Sequence, residues 1–168
     1  MEEDHKEQQE KALEKRLSGQ LPTLDIAGKL FHIDLGMDCL RAKDKEIRFS
    51  DIKECYSWLM ENYSFPYDPK KMEWAKIDVH DIESIPDDIL LVEFPSKQVL
   101  DPVAYTRIHS YDMRHFVRNR EVREHHVAMV KPFKAHLLEQ QHLERQIKQD
   151  MEELKGPKPK RKRKGRSL

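Results

Sequence analysis

The sequence predicts an α+β fold: a small antiparallel or mixed sheet with short helices, then a long C-terminal helix and a disordered basic tail. Three observations predict it. Apolar residues alternate with period two on both sides of turn residues at 21–35 and at 63–78, which is hairpin patterning. A continuous apolar run, Ile89–Val92, is followed at Asp101-Pro102 by the chemistry that starts helices. Apolar residues are also concentrated: Leu21–Val130 holds nearly all the aromatics, while Met1–Gln20 and Lys131–Leu168 are mostly polar. A stretch of roughly 110 residues can bury a modest core.

The elements follow in order. Asp4–Leu17 (DHKEQQEKALEKRL) is rich in helix formers and poor in apolar residues. Residues 1–20 are therefore expected as a polar, fraying helical extension ahead of a domain over 21–130. In LPTLDIAGKLFHIDL (21–35), Leu24 and Ile26 alternate before Ala27-Gly28-Lys29, and Phe31, Ile33 and Leu35 alternate after it. That hairpin puts Asp25, His32 and Asp34 on its wetter face. Ser50–Asn62 is expected as a short helix with Ile52, Cys55, Tyr56, Leu59 and Met60 on one face and Ser50 as N-cap, a longer loop being the alternative. YSFPYDPKKMEWAKID (63–78) reads as a second hairpin turning at Asp68-Pro69-Lys70-Lys71, with Pro66 pointing to an edge strand.

Ile89–Val92 and Phe94 suit a buried central strand. Asp101 and Pro102 begin a helix with Val103, Tyr105 and Ile108 inward, Asp112 caps another through about Arg123, and His126–Val130 adds an edge strand. Residues 131–155 form a polar helix. Phe133, Leu137, Gln140, Glu144, Ile147, Met151 and Leu154 keep heptad spacing in it, but two of the seven are polar, a weak coiled-coil seam. Gly156-Pro157 ends the helix. The tail over 156–168 has no apolar residue before Leu168 and is expected to be disordered.

The zero net charge conceals a partition. Lys155–Arg166 holds eight basic residues and no acidic one, so Met1–Leu154 keeps 23 basic against 31 acidic residues, a net charge of −8. An acidic body with a basic tail implies that the tail contacts a partner or folds back on the body. The two cysteines, Cys39 and Cys55, have no CxxC spacing, and no apolar run approaches the length of a membrane span. The expectation is a cytoplasmic protein with free thiols and no membrane contact.

The stretch LPTLDIAGKLFHIDLGMDCLR (21–41), with YSFPYDPKKMEW, SIPDDILLVEFP and LDPVAYTRIH after it, resembles a family of small uncharacterised bacterial proteins. Their shared pattern is an LPTxx[IV]AGxxFx[IV]D opening hairpin, an aromatic–Pro–aromatic turn, a hydrophobic strand and LDPVxY. The resemblance covers about Leu21–His109. It implies a bacterial origin and a single domain, and carries no activity, cofactor or site.

Nucleic acid is the leading candidate ligand. Lys158, Lys160, Arg161, Lys162, Arg163, Lys164 and Arg166 would neutralise phosphates without reading sequence. Arg107, Arg114, Arg118, Arg120 and Arg123 lie in a stretch with His109, His115, His125 and His126, against Asp112, Glu121 and Glu124, and Arg114 and Arg118 at i,i+4 share a helix side. The plainer readings are a solubilising tail and an ordinary solvated helix. No helix-turn-helix, zinc-finger or RNP motif supports sequence-specific reading.

A second candidate is a protein partner, or a second copy, held through 133–154, or through aromatics near Tyr63–Tyr67 and Trp74. The plainer reading makes those aromatics core. Metal and catalysis rank lower. Asp25, His32 and Asp34 could form a carboxylate–imidazole cluster, and Asp34 and Asp38 flank Gly36 as an acid/base pair. Yet there is no HExxH, GxSxG, GxxxxGK[ST] or GxGxxG, and aspartates beside glycine usually form turns. No catalytic residue, metal ligand or cofactor is therefore assigned.

Overall fold

The structure is a computed structural model and describes residues 1–157. Its strands form two five-stranded sheets. After helix α1 (Glu2–Leu17), strands β1 (Thr23–Ile26), β2 (Lys29–Asp34), β3 (Cys39–Ala42) and β4 (Lys45–Arg48) make an antiparallel meander. β5 (Tyr56–Ser57), β6 (Asn62–Asp68), β7 (Glu73–Trp74) and β8 (Leu90–Pro95) belong to the second sheet. Helices α2 (Lys97–Leu100), α3 (Pro102–Ile108) and α4 (Met113–Arg118) come next, then β9 (His125–Val127), β10 (Met129–Pro132) and the long helix α5 (Phe133–Leu154).

The α+β class expected from the sequence holds, with two sheets in place of one. Their order is β4-β3-β2-β1-β9 in the first and β10-β8-β6-β5 in the second, with β7 also on β6. The sheets enclose one core. Leu24, Ile26, Phe31, Ile33 and Leu40 from the first meet Tyr63, Phe65, Tyr67, Val92 and Phe94 from the second. Apart from Leu40, these are the period-two residues of the two hairpins with Val92 and Phe94 of the expected buried strand, while Ile89 and Leu91 join a second cluster with Phe133. The first hairpin turns through Ala27 (φ 52) and Gly28 (φ 82), both left-handed, and Asp25 Oδ1 accepts the Gly28 N–H at 2.7 Å.

Several expectations are corrected. Ser50–Asn62 is not a helix: a single 3₁₀ turn (Lys53–Cys55) leads into β5, which pairs with β6 through Tyr56 opposite Tyr63. Cross-strand aromatic pairing competes well with a marginal helix, and Leu59 and Met60, expected inward, are exposed. Pro66 is not on an edge strand, because β6 lies inside its sheet. Its outer side is covered by β5 at one end and β7 at the other. Pro66 falls between them, where its missing N–H deprives no neighbour, and its carbonyl accepts from Ala75 N at 2.9 Å.

His126–Val130 is not one strand. β9 runs parallel to β1, Ala128 N–H donates to Asp25 O, and β10 then joins β8 antiparallel, so the chain passes from one sheet to the other at Ala128. α4 stops at Arg118, not Arg123. The basic tail expected over 158–168 lies outside the described residues.

The polar helix α1 is present but is no loose extension. Ala12 is buried against Val103 and Val122. Arg16 forms a buried bidentate pair with Asp101, Nε to Oδ1 at 3.0 Å and to Oδ2 at 2.9 Å. Gln9 Oε1 accepts the Val122 N–H at 2.8 Å, and Lys15 meets Glu124 at 2.8 Å. Asp101 also caps α3 as expected, accepting the Ala104 N–H at 3.1 Å behind Pro102.

Candidate nucleic-acid interface

Three surface features meet around α2, α3 and α4. The first is a ring cluster. Tyr105 on α3 and His109, the residue that ends it, lie one turn apart with centroids 4.2 Å apart. Ser110, at φ 56, turns the chain, and Asp112 caps α4 by accepting the Arg114 N–H at 2.9 Å. That corner brings Tyr111 and Phe116 back onto α3, with Tyr105–Phe116 at 5.8 Å and Tyr111–Phe116 at 5.5 Å, both stacked. The Arg120 guanidinium sits 4.2 Å over the Phe116 ring. Tyr111 is half exposed, so the cluster faces solvent.

The second is a recess of about 310 Å³ that shares Tyr105 with the cluster. Its walls are Tyr56, Trp58 and Tyr63, and Ser96 lines its inner side. Trp58 is 87% exposed and stands edge-on against Tyr56, at 5.0 Å and 88°. Burial, with Tyr56, Asp38 and Tyr105 adding to it, pushes the Tyr63 phenol up to about 12, so this wall is neutral at physiological pH. The third is a cleft of about 550 Å³ across α2, lined by Arg120, Arg123, His125 and His126 and by Glu121, which pairs with Arg123 at 2.6 Å. Arg120 joins it to the ring cluster, and Gln98 lines both it and the recess.

Arg114 and Arg118 are exposed, as the sequence suggested. At 100° per residue they lie on the side of α4 turned away from Phe116, so the structure does not bring them to the ring cluster. Asp112 is the only carboxylate between Pro102 and Arg120, and among the described residues Arg107, Arg114 and Arg118 make no ion pair. Lys158, Lys160, Arg161, Lys162, Arg163, Lys164 and Arg166 lie outside the described residues. The sequence reading missed Trp58 as a surface residue, having placed its neighbours on a buried helix face. It also missed Ser96 and Gln98, which carry no motif. Tyr63, Phe65 and Tyr67, weighed as a surface patch, are core.

His126 links the cleft to the core. Its Nε2–H donates to Leu100 O at 2.9 Å. Burial holds its pKa below the usual 6.5; Arg123 and His125 add to that, while the Leu100 bond and Asp101 oppose it. The folded chain therefore favours the neutral ring, and the unfolded chain takes up a proton near 6.5. Stability from this site is complete above about 6.5 and is lost as pH falls from there towards the lower folded value. Urea midpoints at pH 7.5 and 5.5 should fall further for the native chain than for His126→Gln. Parallel falls would mean the ring is not the source.

The other chemical candidates are committed elsewhere. Asp34 Oδ1 accepts the Met37 N–H at 3.0 Å and its carboxylate pairs with Arg41 at 3.2 Å, while Asp38 pairs with Lys97. Both cysteines are free thiols. Burial raises both, helped by Glu46 and Asp34 at Cys39 and by Glu54 at Cys55, which disfavours thiolate. Among the described residues no group of three or more His, Cys, Asp or Glu side chains is placed to share a metal ion, and no helix is long and apolar enough to cross a membrane. Compared with known proteins, the chain matches no family model, no curated protein and no solved structure.

Proposed function

We propose that this protein is a non-enzymatic accessory factor that contacts nucleic acid without sequence preference. The observation that carries the reading is an exposed aromatic cluster with an arginine stacked on it, on a body of net charge −8. Flat rings offer every base a stacking partner, and guanidinium groups offer phosphate a planar fork. The cations at Lys158–Arg166 supply the long-range attraction that an acidic body lacks, with Arg114 and Arg118 as further exposed positive charge. Electrophoretic mobility shifts with the intact chain and with a chain ending at Lys155 test this. Retardation at low salt that weakens on truncation supports it; no retardation, or equal retardation without the tail, removes it.

A second reading rests on α5. Its first turns lie against β8 and β10, with Phe133 buried among Ile85, Ile89 and Leu91. Beyond them Leu143, Ile147, Met151 and Leu154 are exposed along one side. This suits an adaptor that pairs α5 with a partner helix or with a second copy. In sedimentation velocity, an oligomer that becomes monomeric with Ile147→Asp supports self-pairing. A monomer before and after the change, with no partner retained, excludes the adaptor role.

A further inference from the structure

We propose that the recess walled by Tyr56, Trp58 and Tyr105 takes one unstacked nucleobase, so that the protein selects single strands over duplex. The proposal rests on the nucleic-acid reading above and deepens it. The walls are aromatic, and the polar groups beside them can hydrogen-bond the edge of any base. Gln98 offers an amide acceptor and two donors, Ser96 a hydroxyl, and Glu61 a carboxylate that can accept from an exocyclic amino group. Lys53 is exposed at the same recess, where a phosphate attached to the guest would lie.

Ser96 is the independent observation. It is 5% exposed, and its Oγ has no hydrogen-bond partner among the described residues. It also stands at the N-cap of α2, where a serine hydroxyl ordinarily accepts a backbone N–H, yet it makes no such bond. A buried hydroxyl left unused costs stability; the Ser96 oxygen is covered in the free protein, so a guest recovers that cost only by parting the recess wall over it. Bases in a duplex have both faces stacked and their pairing edges occupied, so they enter only by extrusion. A single strand pays no such cost.

The recess also joins the other two features. A strand whose base sits against Tyr105 can continue over the ring cluster or, past Gln98, towards Arg120 and Arg123. That path offers the backbone Arg120 in the cleft, beside the Arg123–Glu121 pair, and Lys53 at the recess.

The test uses the full chain, fluorescence anisotropy at 50 mM salt, and a labelled 12-nucleotide DNA strand beside its duplex. The strand should bind more tightly than the duplex. Trp58→Ala should weaken strand binding by about tenfold, in the range measured for loss of one stacked base, and leave duplex binding unchanged. Trp58→Phe, which keeps a π-face, should restore most of the loss. Ser96→Ala should weaken the strand alone. Trp58 is exposed, so its replacement leaves the core intact, and circular dichroism checks that. Equal affinity for strand and duplex, or strand binding untouched by Trp58→Ala, overturns the base recess while leaving the nucleic-acid reading standing. No binding to either probe overturns both.

Discussion

Replacing Asp101 with alanine is expected to lower the unfolding free energy by about 3–5 kcal/mol, the cost of stranding one member of a buried ion pair. Asp101 is 1% exposed and Arg16 is 9% exposed. The Arg16 fork holds both carboxylate oxygens, with Nη2 adding a 2.9 Å contact to Oδ2. The same carboxylate caps α3, so alanine also leaves the Ala104 N–H without its acceptor. In a chain of this size each kcal/mol moves the melting midpoint by roughly 2–4 °C, so a fall of roughly 10 °C is expected. The pair Arg16→Leu with Asp101→Asn should lose less than Asp101→Ala alone, because no charge is then stranded and the asparagine still caps. A loss below about 1 kcal/mol for Asp101→Ala, on the scale of an exposed pair, would mean that α1 is not anchored through it.

The second large effect concerns binding. Seven cations lie between Lys158 and Arg166. If each neutralises one phosphate of a single strand, log K falls with log salt by roughly 0.7 per contact, about 5 in all. Raising salt from 50 to 200 mM then weakens the intact chain by roughly a thousandfold, while a chain ending at Lys155 changes far less. If the tail still adds to affinity at the higher salt, its removal at 50 mM should cost at least roughly a thousandfold. Neutralising Arg114 and Arg118 removes at most two such contacts and should cost far less. Arg120→Ala should act differently, since it strips the guanidinium from the Phe116 face as well as a charge.

The parts of the fold that were legible are local. Leu24 to Leu35 and Tyr63 to Trp74 show period-two patterning around a tight turn, and a hairpin needs little else. Asp101-Pro102 and Asp112 are cap chemistry, and both cap as read. The illegible parts are non-local. Nothing near Ala128 says that its two sides join different sheets, one strand parallel to β1 and the other antiparallel to β8. α1 looked dispensable because its docking needs only Ala12 and Arg16, and the partners of both are about ninety residues or more away in sequence.

The site divides the same way. Aromatics interleave with arginines over Tyr105–Arg120, a signal visible in the sequence, but the i,i+4 pair Arg114 and Arg118 turns away from the rings. The outward side of Trp58 was hidden by the helix expected there. Ser96 shows its unused hydroxyl only once β8 and α2 are folded around it.

The proposed ligand is nucleic acid, which an acidic body with an aromatic–arginine surface would gain through its cationic extension. The most direct measurement is the affinity for a short single strand as a function of salt, for the intact chain and for one ending at Lys155. The intact chain should show a slope of about −5 or steeper, and the shorter one a slope shallower by about 5. Coincident slopes, or no binding by the intact chain at 50 mM salt, would contradict it.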